Sequence, residues 1–304
     1  MHKNRIHSSR KLAAQFLLGL IALFFVQCSA SPAPKKKVVQ KKIQVELIPP
    51  EVSITYHLIC TKDSNDWLRA LQPGDTLTAL LAVNRVDRTN LMYLDTLVIP
   101  DSIGIGINMY SPFPKKVDNL QNVHKIMFIS QYAQAFAVYE NGVRIRWGPT
   151  STGKKYTTTP NGLFATNWKS KKTYSTVNPS WILEWYFNLA NLDGVGMHQY
   201  ALPGYPASHG CVRLYQRDAY WLYHWADQWV VEDGKIAVYG SPVVIFDPYP
   251  FGERKPWRLL AEDLDAIKIT PAKLSAAMKD FLPTVAERQE KRDSLSQKEL
   301  LTSR

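Results

Sequence analysis

Six consecutive residues, Ser208-His209-Gly210-Cys211-Val212-Arg213, together with His198 upstream, hold the residue types from which acyl-transfer chemistry is built. A thiol is a strong nucleophile only as thiolate, and a nearby imidazole is the usual means of generating one. Glycine directly before the cysteine permits a tight turn and a close approach by substrate. The N–H groups of such a turn, around His209, Gly210 and Cys211, can face an oxygen that gains negative charge. Nucleophile, base and oxyanion donors thus fit within the fourteen residues from His198 to Cys211. Two plainer uses compete with this one. A cysteine is often a small buried hydrophobe. His and Cys also bind zinc, but a structural zinc site takes about four ligands in paired short spacings. Cys211 has no cysteine neighbour in the sequence. The pattern therefore calls for no metal and no organic cofactor.

The run Met197-His198-Gln199, a short loop, and Ser208 to Leu214 resembles the signature of L,D-transpeptidase catalytic domains, which join peptidoglycan stem peptides through a cysteine acyl-enzyme. Ser151-Thr152-Gly153, the segment Thr159-Pro160-Asn161-Gly162-Leu163-Phe164 and the strand-like Gly240 to Ile245 resemble further segments of that family. The resemblance covers residues 124–247. It implies that Cys211 attacks a stem-peptide carbonyl. His198 would take the thiol proton and return it to the departing amine, a terminal D-alanine, with the Gln199 backbone carbonyl orienting the imidazole. It implies also that β-lactams of the carbapenem type acylate Cys211. His209 either braces the turn or shares in proton transfer, and one base suffices. Arg213 either meets a substrate carboxylate or pairs with Asp218. Tyr200 and Ser208 line the groove or support those that do. Nine residues separate His198 from Ser208, fewer than is usual in the family, and Gln199 stands where glycine or serine is common. The second step is left open: an acceptor amine gives transfer, and water gives a carboxypeptidase or amidase. A third reading, of another class, is a wall-binding lipoprotein with an inactive site.

The elements that must position these residues can be read around them. With 304 residues, the chain is expected to hold one or two domains plus tails. Its 45% apolar content is enough for an ordinary core. The net charge of +11 would suit nucleic acid, anionic lipid or an anionic wall polymer, but no nucleic-acid-binding signature accompanies it. Met1–Lys11 is basic and Leu12–Val26 is apolar over fifteen residues, a length that suits a signal peptide better than a membrane span. Cys28 follows in a context resembling a bacterial lipoprotein box, which implies lipidation and a membrane anchor in the cell envelope, periplasmic in location. Residues 29–50 read as a linker rich in Ser, Pro and Lys, and the remaining cysteine, Cys60, is expected to be buried and inert.

Residues 51–110 read as a small subdomain. Leu68, Leu71, Leu77, Leu80 and Leu81 recur at helical spacing, interrupted by Pro73-Gly74. Its later half, from Asn84 to Pro100, resembles the end of a LysM wall-binding module, although no first strand is evident. The alternative is a helical subdomain packed on the catalytic one. Residues 120–250 are expected to be the catalytic domain, mainly β (α+β). Lys125–Ser130, Ala135–Glu140 and Val143–Trp147 are β-prone, with the hairpin signal Asn141-Gly142 between the last two. Thr173–Tyr186 reads as aromatic and irregular. The family resemblance implies a β-sandwich-like arrangement with the cysteine near one end. A helix is predicted over Asp218–Trp229 as a core element behind Cys211, with Trp221, Trp225 and Trp229 in one stripe. In the extension 251–304, Thr270-Pro271 marks a helix start with Leu274, Met278 and Phe281 on one face. Glu287–Arg304 reads as a solvated tail.

Overall fold

The computed structural model describes residues 53–302 except Ser64 and Leu192. The expectations for the signal segment, Cys28 and the linker lie outside the described residues. The described residues form one compact unit.

The upstream part is α/β. Strands β1 (Tyr56–Cys60) and β2 (Thr96–Pro100) pair antiparallel, Tyr56 opposite Pro100 and Cys60 opposite Thr96. Helices α1 (Asn65–Ala70) and α2 (Asp75–Val83) lie between them in sequence. They break where the sequence predicts, at Pro73-Gly74. Leu68, Leu77, Leu80, Val86, Leu91, Leu94, Leu97 and Ile99 bury a small core. Ala79, Ala82 and Val83 face the other way, into the main core. Strand β1 has the mixed exposure of an outer strand, which is why its pattern does not announce it. Its last residue, Cys60, is exposed, contrary to the expected burial.

Nine strands make the main sheet: β3 (Ile126–Ser130), β4 (Ala135–Glu140), β5 (Val143–Ser151), β6 (Gly162–Ala165), β7 (Lys169–Tyr174), β8 (Ile182–Ala190), β9 (Val195–Gln199), β10 (Val212–Leu214) and β13 (Pro242–Phe246). The short pair β11 (Val230–Glu232) and β12 (Lys235–Val238) stands apart. The order is β6-β13-β3-β4-β5-β10-β9-β8-β7. The β4–β5 turn places both Asn141 (φ 48°) and Gly142 (φ 76°) in the left-handed region, the backbone that a two-residue hairpin with native twist requires. Val243, Met127, Ile129, Phe136 and Val138 share a core with Phe187, Met197, Val212 and Leu214, which belong to the opposite end of the same sheet. One continuous sheet must therefore curl until its halves face each other, and the sandwich-like arrangement is a single sheet folded over its own apolar face. Ile126, Phe128, Ala137 and Tyr139 point to the other side, into a second core closed by the terminal helices.

Three sequence-level expectations need correction. Half of Thr173–Tyr186 is strand, the end of β7 and the start of β8, and the irregular part is confined to the turn at 175–181. Helix α3 spans Gln216–Trp225 and stops at Ala226, whose backbone is extended, so Trp229 lies beyond it. Ala219 and Leu222 supply its core face, while Trp221 and Trp225 stack on each other on its partly exposed side (5.6 Å, 12°). After α4 (Pro271–Met278), capped by Thr270 as expected, the polar C-terminus is a helix, α5 (Leu282–Thr302), and not a loose tail. Few of its residues are apolar, yet Val285 is buried, Arg292 donates to the carbonyls of Tyr239 and Gln228, and Gln289 ties it to Asn122 and His124. Polar anchoring of this kind leaves no hydrophobic period to read.

Candidate active site

Strands β9 and β10 run parallel and place His198 beside Arg213, with Cys211 just before the first residue of β10. On its other edge β10 pairs with β5, Arg213 opposite Ser151. The two reactive side chains, far apart in a stretched chain, thus stand on adjacent strands at one end of the sheet.

His198 is 4% exposed. The Tyr186 ring lies nearly parallel to it at 6.2 Å, and Tyr200 meets it edge-on at 5.9 Å. Residue 196 must be glycine for Tyr186 to sit there, since a Cβ would come within 2.6 Å of that ring. Nδ1 of His198 hydrogen-bonds the Gln199 carbonyl at 2.8 Å. A carbonyl only accepts, so Nδ1 carries the proton and Nε2 keeps the lone pair. Burial pushes the imidazole pKa down to about 4, with Arg213 adding to the effect and the Gln199 carbonyl opposing it. The Cys211 thiol is raised above its ordinary value, chiefly by burial, against lowering by the Gly196 backbone and Arg213. Its Sγ points at the Gly194 carbonyl, 3.4 Å away. Both shifts disfavour the charged forms, thiolate and imidazolium.

The turn before Cys211 is braced from below. Gly210 has φ 109°, a backbone that L side chains rarely adopt, and a Cβ there would meet open space. Ser208 is buried yet still lines the cleft, and it supports the turn from there. Its Oγ accepts from Gly210 N–H (3.1 Å) and donates to the Cys211 carbonyl (2.5 Å). Thr159 Oγ donates to the Gly210 carbonyl and accepts from Gly153 N–H, both at 2.9 Å. Ser208 N–H donates to the Thr152 carbonyl. Ser151–Gly153 and Thr159 are thus the floor of the cysteine turn.

Several sequence-level roles change. Gly210 N–H is turned to Ser208, which leaves the N–H groups of His209 and Cys211 from the expected oxyanion set. The His209 ring does not brace the turn: its Nε2 meets Lys154 Nζ (2.9 Å) and its face lies 5.2 Å from Trp181. Arg213 does not pair with Asp218, which bonds Arg146 (2.6 Å). Its guanidinium lies over the Tyr200 ring (4.7 Å) and donates to the Ala201 carbonyl (3.4 Å), facing the cleft. The Cys211 thiol is free.

A cleft of about 370 Å³ joins these groups. Cys211, His198, His209, Tyr200 and Arg213 line it, with Trp168, Tyr174, Trp181, Tyr186 and Asn188, which the sequence reading did not single out. Only their aromatic density in Trp168–Tyr186 could have flagged them. Among the described residues no group of three or more His, Cys, Asp or Glu gathers as a metal ion would require.

Residues 124–245 match the family model of YkuD, the L,D-transpeptidase catalytic domain. No curated protein matches the chain. Among solved structures, the chain is similar to an L,D-transpeptidase from Stackebrandtia nassauensis, at 25% identity over 42% of this chain and 57% of that one (TM-score 0.35). It is similar also to an LD transpeptidase in complex with imipenem, at 24% identity over 40% and 59% (TM-score 0.32). L,D-transpeptidase 3 from Mycobacterium tuberculosis, in complex with a faropenem-derived adduct, aligns at 21% identity over 41% and 60% (TM-score 0.32). The chain spans under two thirds of the length of each.

Proposed function

We propose, from the L,D-transpeptidase domain match and the geometry of the cleft, that this protein transfers acyl groups between peptidoglycan stem peptides through a cysteine acyl-enzyme. The observation that carries the proposal is the placement of Cys211 and His198 on adjacent strands of one cleft, with the His198 lone pair on Nε2 and Arg213 beside them. In the first step the thiol gives its proton to Nε2 as sulfur attacks the donor carbonyl. The N–H groups of His209 and Cys211 receive the oxyanion. The C–N bond breaks, the leaving amine takes the proton from His198, and a thioester remains on Cys211. An acceptor amine then attacks the thioester, gives a proton to His198, and the sulfur leaves to recover the thiol. Shifts that disfavour the charged forms suit this cycle, since the base must be unprotonated before attack. Arg213 supplies a cation for a stem-peptide carboxylate. The same electrophile chemistry makes Cys211 a target for β-lactams of the carbapenem type.

Product analysis with purified muropeptides tests the proposal. Cross-linked dimers are expected. Trimmed monomers alone would replace transfer with hydrolysis, and no product with either would overturn the enzymatic reading in favour of a wall-binding lipoprotein. We propose in addition that the protein is exported to the cell envelope and anchored by lipid on Cys28. The basic Met1–Lys11 and apolar Leu12–Val26 support this. Palmitate labelling that persists in Cys28→Ala would refute it. A LysM-like role in glycan contact for residues 51–110 is a separate proposal, tested by whether Cys211→Ala protein binds purified sacculi.

A further inference from the structure

The loop from Tyr200 to Ala207 joins the strand of the base to the turn of the nucleophile, and its middle is held from outside the matched domain. Its ends are anchored within the sheet: Tyr200 N–H donates to the Leu214 carbonyl, and Ser151 Oγ binds the Tyr205 carbonyl and Ala207 N–H. Between them, Leu202 N–H donates to Asp87 Oδ2 (2.7 Å), and Asp87 N–H donates back to the Leu202 carbonyl (2.9 Å). Val86 bridges Pro203. Gly204, at φ 79°, packs so close to Leu94 and the Asn84 carbonyl that a Cβ would come within 3.0 Å and 3.4 Å of them.

The turn that makes these contacts is itself locked. Arg85, at φ 59°, is 1% exposed and donates to the Ala133, Ala82 and Val83 carbonyls, with its guanidinium near the Trp147 and Trp257 rings. Half-buried Tyr215, which follows β10 directly, donates its hydroxyl to the Val86 carbonyl (2.6 Å). The Asp87 carboxylate is held in turn by Asn90 N–H and Nδ2. An ion with two acceptor oxygens, each already receiving an N–H, is a stiff anchor.

We infer that the upstream βααβ unit is a working part of the active site, with Asp87 as a positioning residue that clamps the loop against which Arg213 is held in the wall of the cleft. Arg213 reaches Ala201, the residue next to clamped Leu202, and stacks on Tyr200. Slack in the loop shifts the Ala201 carbonyl that holds the Arg213 guanidinium, while the floor under Cys211, built from Thr159, Ser208 and β5, stays in place. The inference rests on the proposed function for its kinetic part only.

The test compares wild type, Asp87→Asn and Tyr215→Phe as full-length proteins. Asn keeps the volume but offers one acceptor oxygen where the carboxylate offers two. Hydrogen exchange is expected to rise in 201–207 and not in the Cys211 turn. KM for a stem-peptide donor is expected to rise about tenfold in Asp87→Asn, the loss of one charge-assisted hydrogen bond, with kcat within about twofold. Alkylation of Cys211 by iodoacetamide, too small to need the wall, is expected to stay within about twofold of wild type, and Tyr215→Phe to show the same split more weakly. Unchanged exchange in 201–207, or raised exchange with KM unaltered, overturns the clamp. So does a parallel fall in kcat, alkylation and melting temperature, which marks general destabilisation. If wild type fails to turn over stem peptides, the functional reading falls. The clamp is then decided by whether raised exchange is confined to 201–207.

Discussion

The two walls of the cleft are built on opposite principles. One is the β7–β8 hairpin with its turn at 175–180. At that turn the described hydrogen bonds are local: Ser175 N–H to the Trp181 carbonyl, Trp181 N–H to the Asn178 carbonyl, and Asn178 with Ser180. Tyr174 and Val177 are 60% and 57% exposed. The other wall is the 200–207 loop, whose middle is held by partners more than a hundred residues away, Asp87 among them, and seated on a turn whose Arg85 is fully buried. A wall secured by its own turn can adjust to a substrate at little cost, whereas one secured by distant buried groups cannot move without disturbing the core. Between them, His198 sits in β9 and Cys211 directly before β10, on the rigid side, where β10 is bonded along both edges.

Four substitutions and a titration would break or sharpen this contrast. The largest effect is expected at the centre: Cys211→Ala should abolish acyl transfer, and His198→Gln should lower it by about 10²–10⁴-fold, as read in single-turnover acylation. Next, Arg85→Ala, on the rigid wall, removes a buried side chain with three carbonyl partners. It should cost about 3 kcal/mol in denaturant unfolding, and a change under about 0.5 kcal/mol would show that this wall is not held as described. The third effect is that of pH. Because the folded His198 pKa lies near 4, below the ordinary 6.5, the unfolded chain binds this proton first as pH falls. Stability from this group is therefore full above about pH 6.5 and is lost as pH drops from there towards 4. His198→Gln should flatten that part of the melting-temperature profile, and wild-type acylation should show no inflection near pH 6.5. Smallest is Trp181→Ala, on the hairpin wall. KM should rise by about three- to tenfold, while stability changes by less than about 0.5 kcal/mol. A melting loss as large as that of Arg85→Ala would erase the distinction between the walls.

The same contrast sets what the sequence could disclose. Local features were legible: the Asn141-Gly142 turn, the break at Pro73-Gly74, the Thr270 cap and the Ser208–Arg213 turn each depend on residues a few positions apart. The role of Gln199 was legible too, because His198 meets the carbonyl of its immediate neighbour. What stayed hidden depends on distant pairing. Nothing near Asp87 announces that it holds Leu202, and nothing near Ser208 announces that its hydroxyl, not the His209 ring, ties the turn. Arg213 offered two equal partners until the fold gave Asp218 to Arg146, a residue of β5. The C-terminal helix escaped because its anchors are polar side chains reaching carbonyls, which leave no apolar period.

The most direct test of the central claim is the mass of the intact protein after brief exposure to a tetrapeptide stem donor, followed by peptide mapping. We expect a gain equal to the donor acyl group, as a thioester on Cys211, discharged on adding an acceptor amine and missing from Cys211→Ala. An unmodified protein under conditions where the donor is consumed, or an adduct on any other residue, would contradict it.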